Sequence, residues 1–123
     1  MKILIVDDEE MIRNVLREYV EFEGNEADEA ADGMEAVKKC RENDYDLILM
    51  DVMMPVMDGI AATKAIRSSD HPLAKTIPIV AMTVNAFEDD VRKMREAGMN
   101  EHLSKPISIT EVLKTIRRVL KTS

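Results

Sequence analysis

Three aspartates, one threonine and one lysine stand where short apolar runs end. Asp7 and Asp8 follow Ile3–Val6, Asp51 closes Leu47–Met50, Thr83 follows Ile77–Met82, and Lys105 follows Glu101–Ser104. Any one of them alone is ordinary: an aspartate after a strand is usually a turn former or a helix cap, and a Lys-Pro pair is usually a loop. The coincidence at four run ends carries the weight. If the runs are parallel strands, these side chains share the carboxyl edge of one sheet, where open α/β sheets bind ligands. Three carboxylates cannot all stay ionised side by side without compensation. Lys105 offsets one charge and a divalent cation would offset two more. The ligands are all oxygens, which suits Mg²⁺, with Mn²⁺ as the alternative. The plainer reading is that Asp7 or Asp8 only caps a helix and no metal binds. With a cation beside it, Asp51 can act as a nucleophile toward a phosphoryl group. Phosphoryl transfer needs positioning and charge stabilisation, and the cation, the Lys105 ammonium and the Thr83 hydroxyl can each hold an oxygen.

The elements that must position these groups follow from periodicity. Apolar runs without alternation fit strands buried on both faces. Ile12, Val15, Leu16, Tyr19 and Val20 recur at helical spacing, so a first helix is expected from Glu9 to about Phe22, with Gly24 as its stop. Residues 25–31 give a weak strand signal, interrupted by acids, and read as an edge strand. Asp32-Gly33 makes a turn, and Met34, Val37 and Cys40 share the inward side of a second helix, which makes Cys40 a packing residue. A third strand covers Asp46–Asp51. Pro55 and Asp58-Gly59 hold the chain irregular until a third helix at Gly59–Ser68, with Ala62, Ala65 and Ile66 inward. Ser69–Thr76 reads as a polar loop in which His71 is a solvated surface residue. A fourth strand is expected at Ile77–Met82 and a fourth helix at Ala86–Ala97, with Val91 and Met94 inward and Gly98 ending it. A short fifth strand at Glu101–Ser104 precedes an amphipathic last helix carrying Ile109, Val112, Leu113, Ile116, Val119 and Leu120. Five strand–helix alternations imply a parallel sheet covered on both faces.

The 123 residues suffice for one domain, 1–123, with a real core. With 24 acidic against 17 basic residues the formal charge is −7, which argues against direct nucleic-acid binding and against docking on anionic membranes. The single cysteine forms no internal disulfide. The opening MKILIVDDEE is too short an apolar run for a signal peptide or a membrane span, so a cytoplasmic protein is expected. Ten methionines and only four Tyr and Phe residues imply a soft core.

At the residues just described the chain resembles the receiver domains of two-component response regulators, over essentially its full length. The matching stretches are ILIVDDEE at 3–10, ADG at 31–33, LILMDVMMPVMDG at 47–59, IPIVAMT at 77–83, AG at 97–98 and SKP at 104–106. The resemblance implies a flavodoxin-like, doubly wound (βα)5 three-layer sandwich whose five-stranded parallel sheet has the order 2-1-3-4-5. It implies that Asp51 is the phosphoacceptor. Asp8 would ligate Mg²⁺ directly, Asp7 would act through water, and the backbone carbonyl of Met53 would be the remaining protein ligand. Thr83 would be the switch hydroxyl, Lys105 its charged companion, and Lys105-Pro106 a cis peptide. The implied partners are a sensor histidine kinase or histidine phosphotransfer protein as donor and an effector that reads the fourth helix, fifth strand and fifth helix, in a monomer or a phosphorylation-dependent dimer. Met11, Ile12 and Val15 are candidates for docking the donor's helix pair. The stretch 82–87 looks like receivers fused to sensor kinases.

Two positions depart from the common pattern. Val84 replaces a small residue and is expected to crowd the phosphorylation pocket. His102 replaces an aromatic switch residue and is either a titratable switch ring or an exposed strand residue. The alternative function is a receiver-fold interaction module that is never phosphorylated. A flavin mononucleotide site conflicts with the four consecutive acids 7–10, since a phosphate wants backbone donors there. A hydrolase of external phosphate esters would want an acid two residues after Asp51, where Met53 stands. The chain is therefore expected not to be an enzyme beyond its own phosphorylation and dephosphorylation.

Overall fold

In the computed structural model, which describes residues 1–122, strands β1 (Lys2–Val6), β2 (Glu26–Ala30), β3 (Leu47–Asp51), β4 (Ile79–Thr83) and β5 (Glu101–Ser104) alternate with helices α1 (Glu10–Phe22), α2 (Gly33–Glu42), α3 (Gly59–Arg67), α4 (Glu88–Ala97) and α5 (Ile109–Thr122). The strands form one parallel sheet in the order β2-β1-β3-β4-β5. The order and the three layers are those the resemblance implied.

Strand geometry sorts the core into two halves. Successive side chains alternate faces, so Leu4, Val6, Ile48, Met50, Ile79 and Ala81 pack with Ala36, Val37, Cys40, Ala62, Ile66 and Met94 of α2, α3 and α4. Ile3, Ile5, Leu47, Leu49, Val80 and Met82 pack with Leu16, Val20, Val112, Ile116 and Val119 of α1 and α5. Both faces are covered, which is why the central strands carry no polar alternation.

The weak second strand is real and lies at the sheet edge. Two of its three acids are paired, one from each layer: Arg13 and Arg17 of α1 bind Glu29, while Lys39 of α2 bridges to Asp28 at 3.0 Å. The Tyr45 hydroxyl donates to Asp28 as well.

Several expectations need correction. Met34 is exposed, because the inward stripe of α2 is Gly33, Ala36, Val37 and Cys40 and Met34 falls beside it. β4 starts at Ile79, not Ile77: the Ile77 amide closes a turn on the Leu73 carbonyl, and Pro78 has no amide to donate. α4 starts at Glu88, two residues later than its pattern suggested. His71 is not solvated. Its side chain is 12% exposed, with Nε2 2.8 Å from Asp44 Oδ1 and Nδ1 accepting from the Leu73 amide at 3.0 Å. The segment around it is a set of hydrogen-bonded turns anchored by buried Ala74 and Ile77, not a free polar loop. Among the described residues no helix is long and apolar enough to cross a membrane.

Candidate functional site

Parallel register sets the site. Val6 lies opposite Met50, Asp51 opposite Met82, and Thr83 opposite Ser104, so the residues that end β1, β3, β4 and β5 come out on one edge. Asp7 and Asp51 are 0% and 2% exposed, whereas Asp8 is open to solvent. One carboxylate oxygen from each of the three lies within 4.8 Å of the others. The Lys105 Nζ reaches over from the β5 end and stands 3.2 Å from Asp7 Oδ2 and 3.2 Å from Asp51 Oδ1. The Lys105-Pro106 peptide is cis.

Each side chain is held by its own segment. Asp7 Oδ1 accepts the Glu9 amide at 2.9 Å in the turn ahead of α1, whose N-cap, Glu9, makes no side-chain capping bond, so Asp7 braces this turn and belongs to the cluster without capping the helix. Arg13 donates to the Asp7 carbonyl at 2.7 Å and fixes the backbone behind it. Asp51 Oδ1 accepts the Met53 amide at 3.3 Å, while the Met53 side chain is exposed and leaves its main chain beside the carboxylates. Asp58 caps α3 through the Ala61 amide. Gly59, which the sequence marked only as a turn former, has a sharper reason to be glycine. A Cβ there would sit 2.2 Å from the Asp51 carbonyl oxygen, so any side chain would push β3 away from α3.

The electrostatics are those of an overfilled acid pocket. Burial, then the charge of Asp7, raises the Asp51 pKa from 3.8 to about 6, against the downward pull of Lys105. Burial pulls the Lys105 ammonium down, but Asp7 and Asp51 outweigh it and hold the group above its ordinary value. All the charged donors are oxygens, as hard divalent cations require, and the cluster carries more negative charge than one ammonium can balance. The donor set therefore fits a small divalent ion.

Thr83 is buried at the end of β4, but its hydroxyl faces its own loop, donating to the Asn85 carbonyl and accepting from the Asn85 amide, both at 3.0 Å. It lines a cavity of about 240 Å³ with Met53, Asp58, Asn85, Lys93 and others. Val84 is 62% exposed and does not line this cavity. The Val84 side chain stands in solvent between buried Thr83 and Asn85, which is exposed at the rim of the cavity. His102 is exposed on β5, beside a shallow groove that includes Val91, Met94 and Arg95. Met11, Ile12 and Val15 line an apolar groove of about 320 Å³ that continues to Lys105, Pro106 and Ile107. A cavity of about 510 Å³ lies at the opposite end of the sheet, around Arg41 and Ser68–Pro72, away from the acid cluster.

Residues 3–117 match the family model described as the response regulator receiver domain. The chain is 42% identical to the transcriptional regulatory protein ResD of Bacillus subtilis over 98% of its own length and 48% of that protein. It is 40% identical to the chemotaxis protein CheY of Halobacterium salinarum, over 97% of the chain and 96% of that protein. It thus spans half or less of some relatives it matches and nearly the whole of another. Among solved structures, the receiver domain of a sensor histidine kinase from Pseudomonas aeruginosa, with magnesium coordinated in its active-site cleft, superposes with a TM-score of 0.88 at 34% identity, over 98% of this chain and 97% of that one. With the sheet order, the acid cluster under Lys105 and these likenesses in agreement, the chain belongs to the response regulator receiver domain family, the phosphoacceptor switches of two-component signalling.

Proposed function

We propose that residues 1–123 form one receiver domain in which Asp51 takes a phosphoryl group from the phosphohistidine of a sensor kinase or histidine phosphotransfer protein. The observation that carries this is Lys105 Nζ at 3.2 Å from both Asp7 and Asp51, with Asp51 buried at the end of β3. A carboxylate oxygen of Asp51 attacks phosphorus. The new P–O bond forms as the P–N bond to the donor imidazole breaks, and that imidazole keeps the electron pair. Lys105 balances charge on the incoming oxygens. Asp7, Asp8, Asp51 and the Met53 carbonyl are the residues that would hold Mg²⁺, or Mn²⁺ by the same oxygen chemistry. When bound, the ion neutralises charge on the phosphoryl oxygens.

The readout uses Thr83. To meet a phosphoryl oxygen its hydroxyl must give up Asn85, which frees the loop that leads into α4. With His102 on β5, this changes the face of α4, β5 and α5 toward an effector or a second copy of the domain. The apolar groove at Met11, Ile12 and Val15 receives the donor. A donor and effector of this kind support a cytoplasmic location, and the net charge of −7 argues against direct nucleic-acid binding by this domain. No acid follows Asp51 at Met53, so turnover is confined to the domain's own acyl phosphate.

The test is acetyl phosphate with Mg²⁺ and intact-mass detection. The wild type is expected to gain one phosphoryl group, and Asp51→Asn none. No gain on the wild type, or an equal gain on the variant, overturns the assignment and favours the non-phosphorylated interaction module.

A further inference from the structure

Arg67, the last residue of α3, joins three separate segments. Its Nε and Nη2 both donate to the Gly98 carbonyl, at 3.1 and 2.7 Å. Nη1 donates to the Ala74 carbonyl at 3.1 Å, and Nη2 also reaches Asn100 Oδ1 at 3.0 Å. Asn100 Oδ1 in turn accepts the Ile79 amide at 2.8 Å, and the Asn100 amide donates to the Ile79 carbonyl. One planar guanidinium therefore ties the end of α3, the turn before β4 and the C-terminal cap of α4, and through Asn100 it reaches the first residue of β4. A lysine has no such fork. Gly98 is fitted to it twice over: its φ is +111°, and a Cβ there would lie 3.0 Å from Arg67 Cγ and Nε. Met94, Ala97 and Met99 are buried around the same end.

The other end of α4 is built differently. Its N-cap, Phe87, makes no side-chain capping bond. Residues 84–89 are all exposed. The link from the β4 end into this loop is the pair of bonds between the Thr83 hydroxyl and Asn85.

We propose that the Arg67–Gly98 clamp makes the C-terminal end of α4 a fixed pivot, so that rearrangement of this helix is confined to its N-terminal end beside Thr83. The signal-dependent part rests on the phosphoacceptor reading; the pivot itself does not. Arg67 is a positioning residue that touches none of the reacting atoms. It sets which part of the output face moves and which part keeps its shape.

The experiment is residue-resolved amide exchange on the full chain, as wild type, Arg67→Met and Arg67→Lys, each with and without Mg²⁺ and beryllium fluoride as a phosphoryl mimic. In the wild type, exchange at 96–100 is expected to be at least tenfold slower than at 88–91, and the mimic should change 84–91 while leaving 96–100 within twofold. Arg67→Met should speed 96–100 at least tenfold and make them respond to the mimic, with Arg67→Lys in between. Urea midpoints, measured in parallel, separate this from general loosening, because a merely structural role would speed exchange across the sheet by the same factor. Uniform acceleration, or a wild-type response to the mimic equal at both ends of α4, overturns the pivot. If acetyl phosphate leaves the wild-type mass unchanged, the phosphoacceptor reading fails, and the wild-type against Arg67→Met comparison without the mimic still decides the pivot.

Discussion

Replacing Asp51 by asparagine should make the metal-free protein more stable, although it removes a partner of Lys105. The folded protein raises the Asp51 pKa from 3.8 to about 6, through burial and the neighbouring Asp7 charge. The folded state therefore binds the Asp51 proton more tightly than the unfolded chain does. That stabilisation is complete below about pH 4 and is lost as pH rises through 6. The difference corresponds to roughly 3 kcal/mol by pH 7.5. Asparagine is nearly isosteric and stays neutral, so it escapes this loss. Part of the gain is given back because Lys105 then keeps only Asp7. The expected net is about 1–3 kcal/mol in favour of Asp51→Asn at pH 7.5 with a chelator present, shrinking toward zero near pH 4. Urea unfolding with an unchanged m-value reads it directly. Saturating Mg²⁺ should raise the wild-type midpoint more than the variant's and narrow the gap. A variant no more stable than wild type at pH 7.5, or a gain of the same size at pH 4, refutes the electrostatic account.

Three further outcomes follow from individual contacts. Lys105→Met removes the ammonium that stands 3.2 Å from two buried carboxylates, so the metal-free protein should lose about 3 kcal/mol at pH 7.5. In the same variant the Asp51 pKa should climb above its present value of about 6; carboxyl ¹³C titration that finds it unchanged counts against the pairing. Gly59→Ala should lose more than about 2 kcal/mol, since its Cβ would meet the Asp51 carbonyl oxygen at 2.2 Å, and a wild-type melting temperature would show that β3 and α3 can separate freely. Val56 holds φ = +70° at the centre of a tight turn closed by the Met57 amide on the Pro55 carbonyl at 2.8 Å. This is the geometry of a γ-turn with positive central φ, which strains a β-branched residue, so Val56→Gly should cost less than about 1 kcal/mol in urea unfolding despite the added chain freedom, and a larger loss would mean that the valine makes a compensating contact.

Why some of this was legible in the sequence and some was not comes down to range. The central strands, the amphipathic helices and the placement of Asp7, Asp51, Thr83 and Lys105 at strand ends follow from local pattern and from the rule that parallel strands share one carboxyl edge. β2 carried little signal because two of its acids, Asp28 and Glu29, find their partners in other elements, at Arg13, Arg17, Lys39 and Tyr45. His71 looked solvated for the same reason: its partner Asp44 lies before β3, in a segment with which it shares no sequence pattern. Arg67 carried no signal inside the expected third helix, yet its contacts reach Ala74, Gly98 and Asn100. The exposure of Val84 was not legible either, because the direction of a loop residue depends on the backbone turn it occupies.

The same charges explain why this site can switch at all. A pocket with two buried carboxylates, one exposed carboxylate and one ammonium is not at its electrostatic optimum without a cation. Ligands that bind only the folded state stabilise it by mass action, so a divalent ion that relieves the repulsion should stabilise the fold, and on the proposed function the same ion would also offset the charge that a phosphoryl group adds. A pocket already neutral would bind the ion with little effect on the fold. In Asp51→Asn the imbalance is removed at its centre, and on the proposed function the extra stability would come with the loss of the nucleophile and of the site's reason to rearrange. A variant that was both more stable and still able to shift α4 with Mg²⁺ and beryllium fluoride would show that the repulsion and the switch are separate properties.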